Sequence, residues 1–533
     1  MATTFGTPVF GADGVVATPH YLASLAAVNA LRDGGSAVDA ALAANFVLAV
    51  VWPHMCGPGG DLFAQVWSPR DNSLFALNAS GRAGSAMNAQ AYRDQGLNAM
   101  PQRGPLTVTV PGAVAGWFTL HARWGRLDMQ RLVRDAVHAA RDGFRTTPFT
   151  GAAIAANADL LRKHGGGADV FLPNGRLPAP GDRLVQADLA ATFNTIAREG
   201  PHAFYAGEIA ERIVDYLAAR GGKLAGPDLS SQNAEWVDPI AVDYRGARVH
   251  QVPPNSQGIA LLEILNMLSD VDLARLDVQE RIHQLVERKK LALADRDAAV
   301  ADPACADLPI SQLIEPSYAA RRACHVAARA AEHAPAALRP DDGDTVYLCA
   351  ADRDGMVVSL IQSLYAAFGS GVHVPGTGIT LHNRGFGFVL TPGHPNELAP
   401  RKRPMHTLMP GFGLRDGRPW LAFGTRGADG QPQTGLQIVT ALLDLGLDLQ
   451  AAIEAPRWVH SAPGDRFPRT ALVLESRFAP DIAAQLEQRG HHVLLADPLD
   501  TIMGTVQLIQ IDEARGCYIA ASDPRGDGVA LAI

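Results

Sequence analysis

Thr345 stands where an Asp- and Pro-rich connector meets the first strand of a tight hairpin, and that place gives a common residue type uncommon chemistry. If the Asp344–Thr345 bond is cut, Thr345 carries a hydroxyl and a free α-amine together. An α-amine has a reference pKa of ~7.7–8.0, so near neutrality part of it is uncharged and can take the proton of its own side chain. One residue then supplies nucleophile and general base, and attack of Thr345 on its own preceding carbonyl offers a route to the cut. The plain alternative is a threonine that merely starts a strand, where threonine is common. A two-residue turn at Arg353-Asp354 sets Gln362 opposite Thr345, with Ser363 one step away as a second hydroxyl able to exchange a hydrogen bond with the first. Further on, Phe423-Gly-Thr-Arg-Gly-Ala-Asp-Gly-Gln-Pro-Gln433 is a polar loop between a strand and a helix. Consecutive backbone N–H groups there can converge on an oxyanion.

The elements that must hold these groups follow from periodicity and turn chemistry. Residues 20–31 have helical spacing, Gly34-Gly35 stops them, and Ser36 is an N-cap for a second helix over 37–51 that ends at Pro53. The loop 55–60 and strands at 62–67 and 74–77 complete a helix pair followed by a hairpin. From 126 to 342 the pattern is mainly helical, with helices over 129–142, 185–199, 208–220 and 278–301 and a strand pair at 242–252. Residues 328–344 read as an exposed connector. Strands over 346–351 and 356–364 flank Asp352-Arg-Asp-Gly355, a hairpin signal. No fixed-period repeat is present.

Composition narrows the function. The 533 residues are 47% hydrophobic and 19% charged, against a usual charged share of ~25%, so the chain buries much of itself. A net charge of −8 supplies no general attraction to nucleic acid or anionic membrane. Cys56, Cys305, Cys324, Cys349 and Cys517 form no Cys-x-x-Cys pair, which argues against a disulfide framework or structural zinc and for a reducing compartment. The first residues carry no secretory pattern, and the apolar stretch Ala40–Trp52 is shorter than the ~20 residues a membrane helix needs. A cytoplasmic enzyme is expected. P-loop, His-Glu-x-x-His and Gly-x-Ser-x-Gly patterns are missing, and the glycines of Cys56–Gly60 follow a helix and precede a strand, the reverse of the Rossmann order. His491-His492 has no carboxylate or cysteine neighbour in sequence, so no metal and no cofactor are expected.

Several short motifs occur in a familiar order: Gly34-Gly-Ser-Ala-Val-Asp-Ala-Ala41, Gly57-Pro-Gly-Gly60, Val110-Pro-Gly-Ala-Val-Ala-Gly116, Leu293-Ala-Asp-Arg-Asp297, Gly376-Thr-Gly-Ile379 and Arg403-Pro404, with Thr345 ten residues before Gly355. Through nearly its whole length the chain resembles the γ-glutamyltransferase (γ-glutamyltranspeptidase) family of N-terminal nucleophile hydrolases. The resemblance implies a four-layer αββα sandwich of mixed helix and sheet. It implies a cut before Thr345 that leaves residues 1–344 and 345–533 as large and small subunits of one shared unit. It also implies an acyl-threonine intermediate. Ser363 matches the hydroxyl partner of the nucleophile, and Gly427 and Ala428 match the pair whose N–H groups bind the oxyanion.

Acyl-group recognition departs from the family. The family's carboxylate-binding arginine falls at Ser80, with Arg82 two residues on. Its acidic residue falls near Phe386, and its serine pair becomes His406-Thr407. An apolar ring facing an ammonium group leaves that charge unpaired at several kcal/mol. Ser359-Leu-Ile-Gln-Ser-Leu-Tyr365, Phe368-Gly-Ser-Gly371 and Pro404-Met-His-Thr-Leu-Met-Pro410 are similar to the signal-less branch that includes oxamate amidohydrolase. The expectation is a self-processing threonine amidohydrolase for a small carboxylated amide such as oxamate, with Arg82, Phe386, His406 and Thr407 contacting substrate. The alternatives are a γ-glutamyltransferase or glutathione hydrolase, and an uncut, non-catalytic binding protein. Expected partners are the small-molecule amide and the two subunits of one precursor, without nucleic acid or membrane; a homodimer of processed heterodimers is left open.

Overall fold

Val346, Leu348 and Ala350 point to one side of their strand and Tyr347, Cys349 and Ala351 to the other, and both sets are buried. A strand that is apolar on both faces needs a layer on each side. The structure, a computed structural model, describes residues 6–331, 344–462 and 466–533. Among them run two seven-stranded antiparallel sheets. The first has the order Val529–Ala532, Gly14–Thr18, Asp344–Asp352, Val357–Tyr365, Asp61–Ser68, Ser73–Ala79, Glu235–Val237. The second runs Val9–Gly11, Cys517–Ser522, Val506–Asp512, Arg418–Thr425, Gly411–Arg415, Ala247–Gln251, Ile240–Tyr244.

Phe63, Tyr347 and Ile361 of the first sheet meet Phe412, Ala422 and Ile509 of the second in a common core. Helices Ala37–Val51, Met129–Asp142 and Ala187–Glu199 cover the outer face of the first sheet. Helices Ile259–Met267, Val278–Ala299 and Gly430–Leu443 cover that of the second. The result is the expected αββα sandwich. No described helix is long and apolar enough to cross a membrane.

Local signals explain the first elements. Ser36 accepts from the Asp39 N–H and Asp39 accepts from the Ser36 N–H, a reciprocal cap that starts the Ala37–Val51 helix. That helix is buried all round because it lies between sheet and helices.

Three boundaries differ from the sequence reading. The third long helix begins at Ala187 because Arg183–Leu184 instead pair with Phe144–Arg145. The Val278 helix stops at Ala299, and the Glu208 helix stops at Ala218, short of Gly221, which has φ +82°. The hairpin after Thr345 closes where the Asp352 N–H donates to the Met356 carbonyl, with three residues between them, not two. Gly355 takes φ +89°, and Asp352 accepts from the N–H groups of Asp354 and Met356. Val346 therefore pairs with Gln362, shifting the expected register by one. Of the connector 328–344, residues 332–343 lie outside the described residues, as does the Asp344 side chain.

Candidate active site

Thr345 sits at the head of the interior strand Asp344–Asp352 and is 1% exposed. A register irregularity lies between Asp344 and Val346, where Asp344 pairs with Tyr365. The Thr345 hydroxyl donates to Ser363 Oγ at 3.3 Å, and the Tyr365 N–H donates to the same oxygen at 2.6 Å. Ser363 is fully buried and pairs across the sheet with Asp61. The glycine-rich run before Asp61 allows this approach: a Cβ on Gly60 would lie 2.4 Å from the Ser363 carbonyl oxygen, and one on Gly59 would lie 2.1 Å from that of Thr380. Those glycines serve close backbone packing rather than a phosphate.

Strand Arg418–Thr425 of the second sheet passes over this point. A Cβ on Gly424 would touch the Tyr347 ring at 2.4 Å, two residues from Thr345 and three from Gly427. The chain then turns into helix Gly430–Leu443 through Gly427 at φ +121° and Ala428 at φ +43°. Among the described residues, neither N–H of this pair donates to a backbone carbonyl. Two adjacent amides in a turn beside a hydroxyl can stabilise an oxyanion. A cleft of about 500 Å³, walled by His54, Phe149, Arg426 and Thr501, reaches Gly427.

The Gly427–Ala428 turn is tied to residues 406–407 by Gln257, whose side-chain amide donates to the carbonyls of Thr407 at 2.8 Å and Ala428 at 2.9 Å. Arg296, from the Leu293–Asp297 motif, donates to Gln257 Oε1 at 2.6 Å and pairs with Asp429 and Asp297. Gln257→Leu removes both tethers and leaves buried acceptors unsatisfied at about 1–3 kcal/mol each. It should lower kcat by about tenfold or more with a smaller change in KM, measured by steady-state kinetics of the processed protein. Equal effects on kcat and KM in opposite directions would contradict a role in positioning the loop.

The four residues expected to touch substrate are not brought to one place in one way. Arg82 is held by Glu235 at 3.1 Å and Asp302 at 3.0 Å. His406 is fully buried, donates to Asp61 Oδ2 at 3.1 Å, and accepts from the Leu408 N–H. Burial, aided by the charge of Arg384, pushes its pKa down to about 3, so the ring is neutral at pH 7. Phe386 packs among Ala83, Met87, Tyr92 and Phe388, with its ring 5.9 Å from that of Tyr365. Thr407 is buried, and its hydroxyl accepts from Arg384 at 3.1 Å.

Arg384 and Asp61 escaped the sequence reading. The Arg384 guanidinium lies 4.0 Å from the Tyr365 ring centroid. Asp61 Oδ1 accepts from the N–H groups of Gly81 and Gly112, while Oδ2 faces His406 and, at 3.4 Å, His382. Burial alone would raise the Asp61 carboxyl, but His382 beside it and the hydrogen bond from the neutral His406 ring hold it well below the usual carboxylate range. Asn383-Arg-Gly-Phe was noticed in sequence, yet nothing local marks Arg384 as buried beside a hydroxyl.

Elsewhere the fold brings His283 and Glu287 to His491, with donor atoms within 4.8 Å of one another. The sequence neighbourhood of His491 had shown no carboxylate. These groups are already engaged: His283 with His491 and the Ala327 carbonyl, Glu287 with Lys290 at 2.7 Å and the Ala331 N–H. A divalent ion there would have to displace the Lys290 ammonium from its carboxylate.

The γ-glutamyltranspeptidase family model matches residues 23–533. A glutathione hydrolase-like YwrD proenzyme of Bacillus subtilis (strain 168) is 40% identical, covering 98% of this chain and 99% of the relative. An oxamate amidohydrolase proenzyme of Klebsiella pneumoniae is 37% identical, covering 97% and 98%. The crystal structure of cephalosporin acylase from Bacillus halodurans superposes with a TM-score of 0.92 at 35% identity, covering 100% of this chain and 98% of that one.

Proposed function

The chain belongs to the γ-glutamyltranspeptidase family, and from that premise we propose that it is a self-processing amidohydrolase whose nucleophile is Thr345. The observation that carries this reading is the hydrogen bond between the buried Thr345 and Ser363 hydroxyls, two residues from where strand Arg418–Thr425, which leads into Gly427–Ala428, crosses at Gly424. In the precursor, Thr345 Oγ1 attacks the Asp344 carbonyl carbon, the peptide C–N bond breaks to an ester, and water cleaves the ester. Residues 1–344 and 345–533 are then separate chains. The freed α-amine takes the hydroxyl proton as Oγ1 attacks a substrate amide, and the oxyanion accepts from the Gly427 and Ala428 N–H groups. The protonated amine leaves, and water releases the acid and restores the threonine.

The substrate we propose is a small amide carrying a carboxylate on its acyl half. Similarity to an oxamate amidohydrolase proenzyme supports it, as does the apolar Phe386 packing beside Tyr365. γ-Glutamyl amides are the second reading, favoured by similarity to glutathione hydrolase proenzymes. Purified protein should give two fragments, the smaller beginning at Thr345 on N-terminal sequencing, and should release ammonia from oxamate faster than it releases the aniline from a γ-glutamyl anilide. Faster release from the anilide would exclude the small-acid version, and one lasting intact band would favour an uncut binding protein.

A further inference from the structure

We infer that Arg384 is the receptor for the anionic group on the acyl half of the substrate, and that this side chain sets a preference for carboxylated over neutral acyl groups. The inference rests on the Thr345 amidohydrolase reading. Arg384 opens the short turn Arg384–Gly387 and is fully buried. Its guanidinium lies against the Tyr365 ring, and its Nη1 donates to Thr407 Oγ1. Tyr365 is the residue whose N–H binds Ser363 Oγ, which in turn accepts from Thr345. Cation and nucleophile are thus linked through two residues in one buried region. Tyr365 holds φ +79°, so its ring is set by a constrained backbone rather than a free loop.

The chemistry suits a carboxylate. A guanidinium is permanently charged, and its planar fork matches two carboxylate oxygens. Away from water, such a charge-assisted contact is stronger than on a surface. The same guanidinium would repel a substrate ammonium, which disfavours an acyl group with a free amine beside it.

The test compares oxamate with oxamide, its neutral isostere, in self-processed wild type, Arg384→Met and Arg384→Lys, with oxalate binding measured calorimetrically in parallel. Arg384→Met is expected to lower the oxamate-to-oxamide ratio of kcat/KM by about 100-fold, the size of a lost charge-assisted hydrogen bond, and to abolish oxalate binding. Arg384→Lys should recover part of both. Appearance of the two fragments in each variant reports folding and a working nucleophile independently of substrate. A ratio unchanged in a processed Arg384→Met protein, with both rates falling together, would overturn the receptor role and leave the amidohydrolase reading standing. Oxalate binding that is absent from wild type, or equal in wild type and Arg384→Met, would likewise overturn it. Processed wild type that binds oxalate through Arg384 yet hydrolyses neither amide would instead support the receptor and refute the proposed substrate.

Discussion

Thr345→Ala is expected to yield an uncut chain of 56.4 kDa with no measurable amide hydrolysis, whereas wild type separates into two fragments. Both losses have one cause: the attacking oxygen is gone, and without cleavage the α-amine base never forms. Removing a nucleophile that works with its base as a unit lowers kcat by about 10⁴-fold or more. Thr345→Ser keeps the oxygen and should still cut, so the pair separates loss of chemistry from loss of fold. Denaturing gels over prolonged incubation and mass spectrometry read the first effect, and ammonia release from oxamate reads the second. Cleavage that survives in Thr345→Ala would refute the assignment.

Asp61→Ala should be the most damaging substitution outside the nucleophile. It would leave two backbone N–H groups, of Gly81 and Gly112, without their acceptor, strip His406 of its own, and remove the carboxylate 3.4 Å from His382. Breaking a buried charged cluster by deleting one partner typically destabilises by about 3–5 kcal/mol. Urea unfolding of the uncut Thr345→Ala chain, with and without Asp61→Ala, measures the difference. The pH dependence has a definite sign. The native carboxyl titrates below its unfolded value of ~3.9, so its stabilising contribution is present above about pH 4 and is lost as pH falls toward the depressed native value. The gap between the Asp61 protein and Asp61→Asn should therefore narrow below pH 4. A gap constant from pH 7 to pH 3 would contradict a charged Asp61.

What could be read in the sequence was local or inherited. The Ser36–Asp39 cap, the helix that follows and the hairpin strands announce themselves within a few residues, and the layered sandwich came from motif order rather than from periodicity. The hairpin register slipped by one because the left-handed residue is Gly355, one position past Arg353-Asp354, which makes the loop three residues long. Arg82 and His406 were chosen because they fall at or beside the family's substrate-binding positions, but Glu235, Asp302 and Asp61, which occupy them, are joined to them only by the fold. Asp61 and His406 are 345 residues apart, and Arg296 and Asp429 are 133 apart. The Leu293–Asp297 motif was visible, and its hold on the Gly427–Ala428 turn through Gln257 was not.

The order of the first sheet has a further consequence. Strands Asp344–Asp352 and Val357–Tyr365 are flanked by Gly14–Thr18 on one side and Asp61–Ser68 on the other. If the backbone is severed before Thr345, as proposed, the same ladder joins two molecules instead of one. The uncut chain finds its central strands at the effective concentration its own connectivity provides, while separated pieces must meet by diffusion. Folding first and cutting afterwards makes assembly a history-dependent event: denaturation before the cut is a unimolecular excursion, and after it a dilution-sensitive one.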